Sequence, residues 1–70
     1  MKITVNGKKE IIDTKTTPPN LENVLIELGY QPLRVVVEFN GSILPQSLWG
    51  SQQVKTGDKL EVVTIVGGGS

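Results

Sequence analysis

The first apolar residues of the chain alternate with polar ones, since Ile3 and Val5 are separated by a threonine and followed by Asn6-Gly7. A period of two is typical of a strand with one buried face. Asn-Gly between two strand-like segments favours a hairpin, because a type I′ turn needs positive φ at both central positions. The pattern therefore predicts an opening β-hairpin with strands at about Lys2–Val5 and Lys8–Ile12.

The next apolar residues have helical spacing. They recur at intervals of three and four, which places them on one face of a helix: Leu21, Val24, Leu25 and Leu28. Pro18 and Pro19 fit just before a first helical turn, Asn20 is a suitable N-cap, and Gly29 is a suitable C-terminal stop. We predict a helix at about 21–28 that packs one apolar stripe on the sheet.

Strand periodicity returns in the second half of the chain. The segment RVVVEFNGSIL predicts a strand, a second Asn-Gly turn and a short return strand. The segment PQSLWG predicts an irregular turn of 3-10 type in which Trp49 covers an edge of the core. A Gly-Asp turn then leads into a last strand, Lys59–Val66, whose apolar content suits a central strand buried on both faces.

The order of these elements predicts an α+β fold. A hairpin covered by one helix, followed by a hairpin-like pair and a late strand, is the β-grasp arrangement, with a mixed sheet of about four or five strands. The last strand would lie in the middle, parallel to the first. A small β-barrel is the alternative, but the single well-marked helix favours the β-grasp. We expect one domain over residues 1–66 and a flexible glycine-rich tail over residues 67–70.

Composition narrows the classes of function. The 70 residues allow one domain with a small core, and seven basic against seven acidic side chains argue against nucleic acid as a partner. No long apolar run or leader pattern is present, so we expect a cytoplasmic protein that does not bind membranes. The chain has no cysteine and no histidine, which removes thiolate nucleophiles, the usual catalytic triads and the usual zinc sites. We therefore expect a binding or carrier module with no metal or cofactor, and not an enzyme.

The sequence ends in IVGGGS, a segment with little preference for any one backbone conformation. Gly67, Gly68 and Gly69 are open to three interpretations: harmless fraying, a cloned linker, or a thin strip of backbone that enters the active site of another protein. We favour the third interpretation, in which the tail is the working part.

Four segments together carry a family resemblance: MKITVNG, NLENVLIELG, VVVEFNGSILPQSLW and GDKLEVVTIVGGG. They cover nearly the whole chain, which resembles the ThiS family, the ubiquitin-like sulfur carriers of thiamine biosynthesis. The resemblance implies that a terminal glycine carboxylate, here that of Gly69, is adenylated by an ATP-dependent activating enzyme and converted to a thiocarboxylate with sulfur from a donor protein. It also implies delivery of the sulfur to thiazole synthase, with Gly67 and Gly68 threading the tail into the partner.

The sheet offers a candidate docking surface for such partners. Alternation places three apolar residues on the face opposite the helix: Val36, Val63 and Ile65. Arg34, Glu38 and Glu61 frame them. Exposed apolar patches of this kind mark interaction sites. The alternative is a solvated face of ordinary strand-forming residues, or a bulge that reverses the alternation.

Ser70 departs from the family pattern, in which the chain usually stops at glycine. It is removed before activation, is a cloning remnant, or is tolerated, unless the chain is not an active carrier. We favour removal or a remnant, with Gly69 as the acceptor. Three other functions stay open: the small sulfur-carrying subunit of molybdopterin synthase, a non-reactive β-grasp interaction module, and a ubiquitin-type modifier whose glycine carboxylate ends up on a lysine.

Overall fold

The computed structural model describes residues 1–13 and 19–65. These residues form five strands: β1 (Lys2–Val5), β2 (Lys8–Ile11), β3 (Val35–Phe39), β4 (Ser42–Ile43) and β5 (Lys59–Thr64). One α-helix, α1 (Leu21–Glu27), follows the first hairpin. Two 3-10 helices, Pro32–Arg34 and Gln46–Ser51, lie before β3 and after β4.

The strands form one mixed sheet in the order β2-β1-β5-β3-β4. The last strand, β5, lies between β1, to which it is parallel, and β3, to which it is antiparallel. The two remaining pairs, β1 with β2 and β3 with β4, are antiparallel hairpins. This arrangement confirms the predicted β-grasp fold, including the central position of the last strand.

Both predicted Asn-Gly hairpin turns are present. Asn6 and Gly7 have φ values of 52° and 81°, and Asn40 and Gly41 have values of 51° and 92°. A two-residue turn with both residues in the left-handed region matches the right-handed twist of the strands that it joins. Asparagine tolerates this region better than most residues, and glycine meets no Cβ clash there.

The two turn asparagines also hold β5 in place. Strand β1 ends at Val5, and beyond it the Asn6 side chain accepts a hydrogen bond from the Val62 N–H at 2.7 Å and donates one to the Val62 carbonyl at 3.1 Å. The Asn6 amide thus replaces the next peptide group of a longer strand. On the other side of β5, the side-chain oxygen Oδ1 of Asn40 accepts a hydrogen bond from the Lys59 N–H at 2.8 Å. The side-chain NH₂ of Asn40 donates to the buried Asp58 carboxylate at 3.2 Å.

The ends of α1 follow the predicted capping chemistry. Asn20 caps the first turn, because its side-chain oxygen accepts a hydrogen bond from the Asn23 N–H at 2.8 Å. At the other end Gly29 has a φ of 93°, the Tyr30 N–H donates to the Leu25 carbonyl, and the Gly29 N–H donates to the Ile26 carbonyl. These two bonds make a Schellman motif, which requires the left-handed residue that glycine supplies.

The core lies between α1 and one face of the sheet. The helix contributes Leu21, Val24 and Leu25, and the central strands contribute Val37, Leu60 and Val62. Trp49 is fully buried against this core, and its indole N–H donates to the Leu44 carbonyl at 2.9 Å. The second 3-10 helix therefore closes the core as a third element beside the sheet and α1.

Two expectations for β5 need correction. The strand ends at Thr64, because its partner β3 begins at Val35 and the chain before Val35 is wound into the 3-10 helix Pro32–Arg34. That turn was not predicted, and Val66 lies outside the described residues. Strand β5 is also buried on one face only, since the single helix covers one side of the sheet and Val63 on the other side is 64% exposed.

We expect Asn6→Gly to lower the free energy of unfolding by about 1–3 kcal/mol, because it removes two hydrogen bonds to Val62 and keeps the left-handed turn. Urea denaturation followed by tryptophan fluorescence would measure the change through the buried Trp49. An unchanged midpoint would mean that the Asn6 side chain does not hold β5.

Candidate functional site

The candidate site is the face of the sheet that the helix leaves uncovered. Val36, Val63 and Ile65 are 39%, 64% and 50% exposed, whereas Val35, Val37 and Val62, which alternate with them, are buried. Val36 and Val63 lie directly opposite each other on β3 and β5. The structure therefore brings the three residues to one face at one end of the sheet, as the alternation predicts.

A charged row lies beside this apolar group. Two residues back along β5 from Val63 is Glu61, which is directly opposite Glu38 on β3. Glu38 is in turn opposite Ile43 on β4, so the row reads Glu61, Glu38, Ile43 across three strands. All three side chains are exposed. The uncovered face thus carries two adjacent carboxylates, with apolar residues next to them along β3 and β5 and across on β4.

The described chain ends at Ile65, at the apolar end of this face. Ile65 is the last described residue, and its N–H donates a hydrogen bond to the Arg34 carbonyl at 2.7 Å. A shallow pocket of about 230 Å³ opens beside Thr64, lined by the helix C-terminal turn and the start of β3. Whatever follows residue 65 therefore begins next to Val63 and Ile65.

The predicted tail residues lie outside the described part of the chain. Gly67, Gly68, Gly69 and Ser70 belong to residues 66–70, which also contain the predicted boundary between domain and tail. Their roles stay predictions. The structure describes the body that would carry the tail and the surface from which it departs.

Sequence reasoning treated Glu38 and Glu61 only as a frame and did not include Ile43. The pairing of Glu38 with Ile43 follows from a two-residue turn at 40–41, because such a turn fixes the register of the hairpin. The pairing of Glu38 with Glu61 joins strands that are far apart in the chain, and no local signal sets it.

Within residues 1–13 and 19–65, no group of three or more Asp, Glu, His or Cys side chains is placed to hold a metal ion. The same residues contain no helix that is both long and apolar enough to cross a membrane.

Comparisons with family models and with solved structures point to the same family. The ThiS family model matches residues 3–69. A crystal structure of the thiamine biosynthesis protein ThiS from Geobacter metallireducens is 36% identical, with a TM-score of 0.80 over 99% of this chain and 100% of that one. A solution structure of a thiamine biosynthesis protein from the same organism gives a TM-score of 0.77 at 35% identity, over 100% of this chain and 90% of that one.

The curated relatives include longer proteins. A thiazole synthase of Paramagnetospirillum magneticum is 40% identical over 70 residues, which are all of this chain and 21% of that protein. The chain therefore spans about a fifth of this relative. The uncharacterized protein ycf40 of Pyropia yezoensis is 46% identical over 52 residues, which are 74% of this chain and 73% of that protein.

The two sides of β5 should respond oppositely to a charge. Val63→Lys should lower the free energy of unfolding by at most about 1 kcal/mol, since it alters one exposed cross-strand pair. Val62→Lys should cost several kcal/mol or prevent folding, because it places an unpaired charge in the core. Thermal unfolding of both variants would check this, and equal losses would contradict the assignment of the two faces.

Proposed function

Because this chain belongs to the ThiS family, we propose that it is a sulfur carrier protein of thiamine biosynthesis, which carries sulfur as a C-terminal thiocarboxylate. The family match carries the proposal, since it extends over residues 3–69 and so includes the three terminal glycines. In this role the chain is a substrate of other enzymes and not itself a catalyst.

The chemistry starts from the carboxylate of Gly69, after removal of Ser70. A carboxylate is a poor electrophile, so an activating enzyme joins it to AMP from ATP and releases pyrophosphate. Hydrosulfide released by a donor protein then forms a carbon–sulfur bond at the acyl carbon as the bond to AMP breaks, which leaves the thiocarboxylate and free AMP. The chain has no cysteine that could hold sulfur on a side chain, which favours its backbone terminus as the attachment point.

The glycines suit the approach to a narrow active site. Gly67 and Gly68 have no side chain to clash with a channel and can adopt whatever φ and ψ it demands. Ordering such a tail costs on the order of 1–2 kcal/mol per residue. Docking of the folded body must offset that cost, and the exposed group Val36, Val63 and Ile65, at the end of the described chain, is our candidate for the docking surface.

Thiazole synthase is the proposed acceptor of the sulfur. Two proteins that bear this name, from Paramagnetospirillum magneticum and Magnetococcus marinus, contain a segment that resembles this whole chain or nearly so, within 21% and 20% of their lengths. Joining a carrier and its acceptor in one polypeptide raises their effective concentration. This supports the thiamine pathway over the molybdopterin pathway.

We expect a Gly69-ended form of the chain to gain the mass of one oxygen replaced by sulfur when it is incubated with ATP, the activating enzyme of its host and a sulfur donor. Intact-mass spectrometry would measure the shift. No shift with a correctly folded protein would favour the non-reactive interaction module, and attachment to a lysine of another protein would favour the ubiquitin-type modifier.

Gly68→Leu in the same form should abolish the mass shift, because a bulky side chain would not fit a channel shaped for glycine. The free energy of unfolding should stay within about 0.5 kcal/mol of that of the parent protein, since the buried core of the described chain ends at Val62. Thiolation of Gly68→Leu at the normal rate would contradict the proposed threading of the tail.

A further inference from the structure

The uncovered face of the sheet contains an unfavourable arrangement of charge. Glu38 and Glu61 are directly opposite on β3 and β5, and both are exposed on the same face. Side chains paired in this way have Cβ atoms only about 4.5–5.5 Å apart, and like charges at that distance destabilise the strand pair. Within the described chain neither carboxylate has an ion-pair partner.

Apolar residues lie next to the carboxylate pair in two directions. Val36 and Val63 occupy the next row towards the end of the described chain, and Ile43 lies beside Glu38 on β4. All three are exposed. Lys59 is the nearest basic residue on β5, two positions before Glu61, and it makes no ion pair with it. The face is therefore a small apolar surface that carries two adjacent carboxylates, which have no ion-pair partner among the described residues.

Building on the proposed function, we propose that this face docks a partner protein whose surface presents one basic side chain, arginine being the best fit, among apolar residues. The guanidinium group can donate to two carboxylates at once, and its planar shape suits a pair this close. Apolar side chains around the arginine would cover Val36, Val63 and Ile65.

The charge also selects the kind of occupant. A second copy of this chain, stacked face to face, would bring four carboxylates together over Glu38 and Glu61, so self-association through this face is disfavoured. A basic partner is favoured instead, because it relieves a repulsion that is present in the free protein. Since Ile65 on the same face is the last described residue, a partner seated here would lie next to the point where residues 66–70 begin.

The test compares the double variant Glu38→Gln/Glu61→Gln with Glu27→Gln/Glu22→Gln, an equal change of charge at exposed positions of α1. Binding of each to the purified activating enzyme and to thiazole synthase of the host would be measured by calorimetry at low and moderate salt. We expect the sheet variant to bind at least one of these partners about tenfold more weakly, with a smaller dependence on salt. The same variant should have a higher midpoint of thermal unfolding, while the helix variant should bind like the parent protein.

The outcomes separate this inference from the proposed function. Parent protein that binds neither partner, or a sheet variant that binds both as tightly as the parent, would overturn the inference. A sheet variant that is less stable than the parent would also overturn it, since the pair would then stabilise the free protein. A parent protein that dimerises in sedimentation, with Val63→Lys monomeric, would assign the face to a second copy. Tight binding that is weakened in the sheet variant, without any thiocarboxylate formed, would support the inference and overturn the proposed function.

Discussion

The structure depends on how the last strand is held between β1, at the start of the chain, and β3, in its middle. β5 pairs in parallel with β1 and antiparallel with β3, and all three supply residues to the core. Two side chains also form hydrogen bonds with the β5 backbone. The Asn6 side chain bonds both the N–H and the carbonyl of Val62, and the Asn40 side chain accepts from the N–H of Lys59. Without β5 the sheet would be two separate hairpins, which have little stability alone.

A single helix over a five-strand sheet has a direct consequence for function. The helix and the second 3-10 helix shield one face, so the alternating residues of β3 and β5 divide into a buried set and an exposed set. The side chains of the exposed set make no contribution to the buried core. This set carries apolar residues beside two adjacent carboxylates that have no ion-pair partner within residues 1–13 and 19–65, and like charges so close cost the free protein some stability.

Local signals predicted most of the fold because each acts within a few residues. Asn-Gly fixes a hairpin, Asn20 and Gly29 mark the two ends of a helix, and the spacing of Leu21, Val24 and Leu25 sets its buried stripe. The features that were missed come from contacts between distant segments. The end of β5 at Thr64 depends on where β3 starts, and the opposition of Glu38 and Glu61 depends on their register.

The position of β5 also determines what happens when its end is pulled. A pull on residues 66–70 would reach the described structure at Ile65, and a pull directed along the axis of the central strand would act on its pairing with β1 and β3. The hydrogen bonds to β1 and β3 run across that axis, so they are loaded in shear and resist together rather than opening one after another. A body built in this way can be gripped by its terminus and keep its shape.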